Sequence, residues 1–288
     1  MPELPEVETI KIGLQKNVVG LKIKKIQVLN AKTFIGNPKL IRGKKVLRVW
    51  RRSKVLGIDL SGNLCLLFHL KMTGQLIWIN SKLVANDRLV GGHPTLDMKD
   101  NMPSKHTRAY LTFNNDSQLF FNDQRKFGWI KVIETKELKL ENSLKDLGPE
   151  PLEKDFTWQI LKNNLLKRKN ALIKVVLMDN SVICGVGNIY ASEACFNAKI
   201  DPQTRVVNLT DLQVKKLHLG IIKSLQDGIK YGGATRAHFV DSNGRKGYFL
   251  DYAYVYGKDK HPCKVCKTEI KKIQLAGRGT YWCSKCQK

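Results

Sequence analysis

The chain has no apolar run approaching 18 residues, so the sequence offers no candidate transmembrane helix. No apolar stretch follows the initiator Met either. MPELPEVETI carries three glutamates and two prolines, which argues against a secretory signal and for a cytoplasmic protein. Acidic residues are scarce: 25 against 50 Lys and Arg in 288 residues, for a formal net charge of +25. Such a surplus calls for solvent or a polyanionic partner, and nucleic acid and an anionic membrane surface are the candidates. No internal repeat or low-complexity tract is visible, which leaves an ordinary globular chain of two domains or so. Before residue 263 cysteine is rare, and Cys65, Cys184 and Cys195 sit among apolar neighbours as core residues do.

Acid is also absent from one long internal stretch. Lys11 to Lys54 holds fourteen Lys or Arg and no Asp or Glu, directly behind the acidic tip. Apolar spacing predicts a helix over residues 3–17, with Pro5 in the tolerant first turn. From Leu21 to Ile133 the pattern is short runs of branched and aromatic residues divided by Gly, Asn, Asp and Ser. This predicts strands in a sandwich or barrel. Segment 80–106 has weak periodicity and reads as a long loop or insertion. LGPEPL, residues 147–152, reads as a linker that closes an N-terminal domain (1–146). Helical spacing then dominates, over WQILKNNLLKRKNALIKVVLMD, NIYASEACFNA and a helix that Thr210 can cap and Gly232 can stop. The domain so defined runs over 153–257, ahead of a tail at 258–288.

The tail places Cys263, Cys266, Cys283 and Cys286 in two C-x-x-C pairs. Each pair can span one edge of a thiolate tetrahedron, which fits one structural Zn2+, with redox or iron–sulfur chemistry as the alternatives. A closed four-thiolate site has no open position for activating water. Gly277-Arg278-Gly279 lies between the pairs, where an arginine can reach a phosphate or simply face solvent.

Four other stretches carry possible chemistry. Gly185-Val186-Gly187-Asn188 precedes a helical run, as an anion-facing turn or an ordinary interhelical turn would. HLKMTG (69–74) and QRKFG (124–128) each end a strand-like run on bulky groups, Met72 in one and Arg125 with Phe127 in the other. These suit core packing, or a wedge that replaces an extruded base. At the N-terminus, removal of Met1 would expose Pro2 as a secondary amine. With a reference pKa of about 7.7–8.0, such an amine is unprotonated to about a tenth or more near neutral pH and can form an iminium. Glu3 beside it can move protons.

MPELPEVET, HLKMTG, QRKFG, LGPEPL, LMDNSVICGVGNIYASE, SNGRKGYF and GRGTYWC occur together and in this order. Taken together the chain resembles the bacterial formamidopyrimidine-DNA glycosylases, from Pro2 to the final lysine, with 80–105 unmatched. The resemblance implies an α+β protein: an N-terminal β-sandwich with flanking helices, a helix–two-turn–helix domain and a C-terminal zinc-finger hairpin. It implies a monomeric bifunctional DNA glycosylase and abasic-site lyase of base excision repair. The partner is duplex DNA holding 8-oxoguanine, formamidopyrimidines or abasic sites, and the expected location is the cytoplasm, on the nucleoid. By resemblance Pro2 is the nucleophile, Glu3 the acid that assists sugar-ring opening, and Lys54 and Arg278 serve β- and δ-elimination. His69, Asn188 and Tyr256 are expected at phosphates, as are Lys54 and Arg278, and His106 and Lys169 (in preference to Arg168) are expected to contact DNA. Met72, Arg125 and Phe127 are expected to fill the gap left by the everted base, Arg125 facing the orphaned cytosine. Residues 234–247 match the cover over the flipped base. The sister enzyme, endonuclease VIII, shares the chemistry but takes oxidised pyrimidines; LPEVET and the complete three-residue set favour the purine enzyme.

Overall fold

A computed structural model describes residues 1–81, 88–92, 102–234 and 248–288. Among these the chain divides into two compact units, Met1–Lys145 and, second, Asp146–Ala234 together with Tyr248–Lys288.

The first unit is a sandwich of two five-stranded sheets. Its strands are β1 (Ile23–Val28), β2 (Phe34–Ile35), β3 (Val46–Arg52), β4 (Val55–Leu60) and β5 (Leu64–His69), then β6 (Gly74–Ile79), β7 (Arg88–Gly92), β8 (Thr107–Phe113), β9 (Gln118–Asp123) and β10 (Trp129–Glu134). One sheet has the order β1-β8-β9-β6-β7 and is antiparallel throughout. The other runs β2-β10-β5-β4-β3, antiparallel except for the short β2–β10 pair. Alternate residues of facing strands, among them Ile58, Leu66, Phe68, Leu76, Trp78, Leu119 and Phe121, form the shared core. The run LCLLF on β5 does not alternate because both of its faces are covered. Cys65 and Leu67 pack outward with Val55, Ile133 and Leu138.

Helix α1 (Leu4–Val18) buries Leu4, Val7, Ile10, Leu14 and Val18 on one stripe. It packs against β7 and β3, an edge strand from each sheet, and so covers two open ladders at once. Its direction is fixed at both ends. The N–H of Gly20, just beyond the helix, donates to the carbonyl of Val46 at the start of β3 (3.0 Å). Glu8, in the second turn, accepts from Arg51 Nε near the end of β3 (2.8 Å). Helix α1 therefore runs antiparallel to β3, and its N-terminal tip lies at the end of the sandwich that carries the β3–β4 turn.

The expectation of an unbroken loop over 80–106 is corrected: the backbone at 88–92 forms β7, paired with β6 from Ile79↔Arg88 to Gln75↔Gly92. Its glycines hide the strand in the sequence. A Cβ on Gly91 would overlap Ile10 of α1, and Gly92 (φ 120°) lies over the Gly74 carbonyl. These glycines answer to close packing that a propensity reading does not see.

The second unit contains α2 (Trp158–Leu166), α3 (Ile173–Leu177), α4 (Asn188–Ala198), α5 (Asp211–Lys230) and α6 (Phe249–Tyr252), then the hairpin β11 (Lys271–Leu275) and β12 (Arg278–Trp282). Thr210 and Gln213 form the capping box of α5, and Gly232 (φ 72°) lies just past its end. The continuous helical spacing over 158–179 is interrupted. Residues 167–172 unwind because their main chain bonds elsewhere: Val207 N–H to Lys169 O (2.8 Å) and Val206 N–H to Ala171 O (3.0 Å). The C-terminal hairpin docks on α4. Phe196 shares a cluster with Val255, Cys263, Ile270 and Cys283, and the Gln287 amide donates to Ile200 O (2.9 Å).

Candidate functional site

In the first unit the register gathers the predicted residues at one end of the sandwich. Val55, His69 and Trp129 lie side by side across β4, β5 and β10. Lys54 precedes Val55, and the 124–128 turn precedes Trp129. On the facing sheet Gly74 pairs with Asp123, and Asn122 with Thr107, the residue after His106. HLKMTG thus carries the chain from β5 over to β6, and the 123–128 turn carries it back from β9 to β10. Two crossings between the sheets lie next to each other. The tip of α1, with Pro2 and Glu3, belongs to this same end.

Pro2 and Glu3 are buried. Glu3 is the N-cap of α1, with extended backbone (φ −99°, ψ −172°). Its side chain accepts the Glu6 N–H, while its own N–H donates to Glu6 Oε2 (2.7 Å). The first residues are thereby locked to the helix start.

Lys54 is buried and sits in a two-residue hairpin loop between Arg52 and Val55. Its loop partner Ser53 has φ 55°, a left-handed conformation in a residue other than glycine. Arg51 clamps this turn: Nε to Glu8 of α1 and Nη1 to Ser53 O (3.1 Å). The clamp also holds the Glu8 carboxyl below its usual range: burial works upward, and the bonds from Lys11 and Arg51 outweigh it. His69 is neutral over the physiological range. Burial, with help from Lys71 and Lys54, pushes it down to about 3. Its Nδ1 accepts the Lys71 N–H (3.0 Å), which leaves the proton on Nε2 as a donor.

The core alternative for Met72 and Phe127 is removed: they are 38% and 57% exposed at the turn tips. Arg125 lies over the Phe127 ring, 5.0 Å from its centroid. Both turns pass through left-handed residues, Lys71 (φ 50°) and Lys126 (φ 60°), at a cost of about 1–2 kcal/mol each. Asp123 offsets this. Its fully buried carboxylate accepts the Thr73 hydroxyl, the Arg125 N–H (3.2 Å) and the Gly128 N–H (2.6 Å). Hydrogen bonds to a charged group contribute about 1.5–3 kcal/mol each, so the bonds win. Gly128 fits here because a Cβ would press on Phe121, the Asp123 carboxylate and the His69 carbonyl. His106 is half-buried, and its carbonyl accepts the Asp123 N–H (2.9 Å).

In the second unit the organising residue is Lys174, fully buried. Its Nζ donates to Asn188 Oδ1 and to Thr280 Oγ1 (3.0 Å), while Asn188 Nδ2 donates to the Gly279 carbonyl (3.0 Å). The hairpin turn at Ala276 (φ 46°) and Gly277 (φ 72°) has two positive φ values, which suits a two-residue loop closed by Leu275↔Arg278. Arg278 is therefore exposed on a strand fixed beside the first residue of α4. Both ends of the Asn188 amide make hydrogen bonds within the unit. Tyr256 is half-buried against Tyr281 (centroids 5.0 Å apart). The segment bearing it is held by Glu193, whose carboxyl accepts the N–H groups of Tyr254, Val255 and Tyr256, each at 2.9 Å. Burial pushes the Glu193 carboxyl up, and these donors pull it back. Lys169 is exposed, whereas Arg168 is paired with Asp179 (3.3 Å).

The four tail thiols lie within 4.8 Å of one another, with Sγ–Sγ distances of 3.9 Å for Cys263–Cys286 and 3.4 Å for Cys266–Cys283. Tetrahedral Zn–S bonds of about 2.3 Å require sulfur separations of about 3.8 Å, and disulfides need about 2.05 Å, so the cluster fits zinc. Residues 235–247, most of the expected lesion cover, lie outside the described residues.

Comparison with known proteins decides the family. Residues 1–130 match the formamidopyrimidine-DNA glycosylase N-terminal domain, 147–240 the H2TH domain of that enzyme, and 260–288 the zinc finger found in FPG and IleRS. A formamidopyrimidine-DNA glycosylase of Pelotomaculum thermopropionicum is 39% identical, covering 100% of this chain and 99% of its own. The chain belongs to the formamidopyrimidine-DNA glycosylase family. The enzyme of that name from Listeria monocytogenes serotype 4b is 36% identical over the full length of both. Among solved structures, a Lactococcus lactis FPG mutant bound to Fapy-dG-containing DNA matches with a TM-score of 0.85 at 32% identity, covering 100% of both chains. A complex of the Lactococcus lactis enzyme with abasic-site DNA matches with a TM-score of 0.84, covering 99% of both. The fold is accordingly α+β, with sandwich, helical domain and a zinc-binding hairpin holding one structural Zn2+. Sequence reasoning missed Asp123, Thr73, Arg51, Lys174 and Glu193. Each lies in or beside a motif of the chain, but its partners are distant in sequence.

Proposed function

We propose that this chain excises oxidised purines, 8-oxoguanine and formamidopyrimidines, from duplex DNA and then cleaves the backbone at the abasic site. The observation that carries this reading is the locked N-terminus: Pro2 next to Glu3, an N-cap carboxylate held at the start of α1. Once Met1 is removed, the Pro2 nitrogen is an amine at a helix N-terminus.

The free amine attacks C1′ of the extruded nucleotide and the N-glycosidic bond breaks, its electrons leaving with the base. The Glu3 carboxylate takes the proton that the attacking amine releases and passes it to the ring oxygen as the sugar opens. The secondary amine yields an iminium, which acidifies the hydrogen on C2′. Loss of that proton expels the 3′-phosphate, with Lys54 assisting, and a second elimination, with Arg278 assisting, expels the 5′-phosphate. Water then hydrolyses the iminium and frees the enzyme. Zinc takes part in no step; its four-thiolate shell keeps the hairpin that carries Arg278 folded.

DNA binding relies on the same placement. His69 donates through Nε2, Asn188 through the second hydrogen of its Nδ2, and His106, Lys169 and Tyr256 make further DNA contacts. Lys169 is preferred to Arg168 because Asp179 already pairs the latter. Met72, Arg125 and Phe127 enter the duplex where the damaged base leaves, a role supported by their exposure at adjoining turns. Residues 234–247 cover the flipped base. No helix among the described residues is long and apolar enough to cross a membrane, and the enzyme works as a cytoplasmic monomer on the nucleoid. Side-by-side cleavage of 8-oxoguanine:C and thymine glycol:A duplexes tests the substrate class. Preference for the first is expected; a strong preference for the second would assign oxidised pyrimidines instead.

A further inference from the structure

We propose that Asp123 is a positioning residue that couples the two wedge turns, so that Met72 on one and Arg125 with Phe127 on the other move as a single body. The inference deepens the DNA-binding reading above and rests on it for its functional consequence; the coupling itself rests on geometry alone.

Every polar group of Asp123 is engaged, and its partners come from three segments at the same end of the sandwich. Oδ1 accepts the hydroxyl of Thr73, the residue after Met72. Oδ2 accepts the N–H of Gly128, the residue after Phe127 (2.6 Å). The Arg125 N–H divides between Asp123 Oδ1 (3.2 Å) and Thr73 Oγ1 (3.0 Å), so Thr73 touches both the carboxylate and the opposing turn. The Asp123 main chain joins the His106 segment, its N–H to His106 O (2.9 Å) and its carbonyl to Arg108 Nε (2.7 Å). Asp123 itself is fully buried and cannot reach DNA.

The topology explains why one residue can do this. The 69–74 and 123–128 turns are adjacent crossings between the two sheets, and Asp123 ends β9 directly opposite Gly74, which begins β6. A carboxylate there faces both crossings at once. Three N–H or O–H donors converge on two oxygens, so an amide, which carries donors on one end, cannot replace it. A wedge built from two turns reads the base opposite the lesion only if the turns keep a fixed separation. The expected consequence of breaking the link is loss of discrimination rather than loss of chemistry.

The test uses full-length zinc-loaded enzyme and three variants: Asp123→Asn, Thr73→Val and Thr73→Ser. The first readout is the ratio of cleavage at 8-oxoguanine opposite C and opposite A. Asp123→Asn and Thr73→Val should lower that ratio about tenfold, and Thr73→Ser, which keeps the hydroxyl, should leave it at the wild-type value. The second readout is amide hydrogen exchange. Thr73→Val should speed exchange about tenfold in both the 69–74 and 124–128 peptides. If Asp123→Asn does not fold, the Val and Ser pair at 73 decides alone. Loosening confined to the 69–74 peptide overturns the coupling whatever the enzyme cleaves. Unchanged ratios in Thr73→Val despite loosening of both turns would overturn the link to discrimination. A wild-type enzyme that cleaves neither duplex would contradict the substrate reading, while the exchange experiment still judges the coupling.

Discussion

Lys174 Nζ donates to Thr280 Oγ1 at 3.0 Å, joining α3 to the C-terminal hairpin across a separation of 106 residues. The same amine holds Asn188, whose amide bonds the Gly279 carbonyl. Arg278 adjoins this hairpin pair in the chain, so its position depends on a side chain that never meets solvent. Lys174→Met should leave Asn188 and Thr280 short of a donor and cost the second unit about 1–3 kcal/mol. Thr280→Val should cost less, about 1 kcal/mol. Denaturant unfolding tracked through Trp282 measures both. δ-Elimination products should decline more than β-elimination products, because Arg278 is displaced while Lys54 is untouched.

The sequence made some of this readable and concealed the rest for identifiable reasons. α1 was visible because Val7, Ile10 and Leu14 repeat at helical spacing, and the four thiols because C-x-x-C is a local pattern. β7 was hidden because Gly91 and Gly92 are there for the sake of Ile10 and Gly74, which are far away in the chain. The break between α2 and α3 was hidden because its cause is hydrogen bonding to residues 206 and 207. Met72 and Phe127 could be named as bulky turn residues, but only their exposure separates a wedge from a core. Asp123 and Lys174 look like ordinary charged residues until their partners converge.

Two histidine experiments separate charge from hydrogen bonding. The folded pKa of His69 is about 3, below the ordinary value of about 6.5. As pH falls through 6.5 the unfolded chain takes up a proton and the folded chain does not, so the first unit loses stability between about pH 6.5 and 3. His69→Gln should flatten the melting temperature against pH across that window. A neutral donor also releases no counterion. His69→Ala should weaken DNA binding without changing the slope of log K against log salt, whereas Lys54→Ala should reduce that slope by about 1.

Zinc removal should act on one unit only. The cluster of Cys263, Cys283, Ile270 and Val255 packs on Phe196 of α4, so chelation should loosen the hairpin and abolish DNA binding. Calorimetry should show the sandwich transition unchanged. A verified zinc-free sample that still binds DNA would remove the hairpin from the interface.

Ser53 holds a left-handed conformation in the loop that presents Lys54. Ser53→Val, β-branched in a left-handed conformation, should destabilise the chain by about 1–2 kcal/mol. If the loop sets the Lys54 position, the valine variant should also slow β-elimination on preformed abasic DNA in single-turnover assays.

If the mature amine of Pro2 carries the chemistry, borohydride reduction during turnover fixes that amine to the DNA. Protein lacking Met1, mixed with 8-oxoguanine duplex and reductant, should yield a covalent protein–DNA adduct whose peptide map places the bond on Pro2. Protein that retains Met1 should give none. Equal trapping by the two forms, or an adduct mapped to a lysine, would rule out Pro2 as the nucleophile.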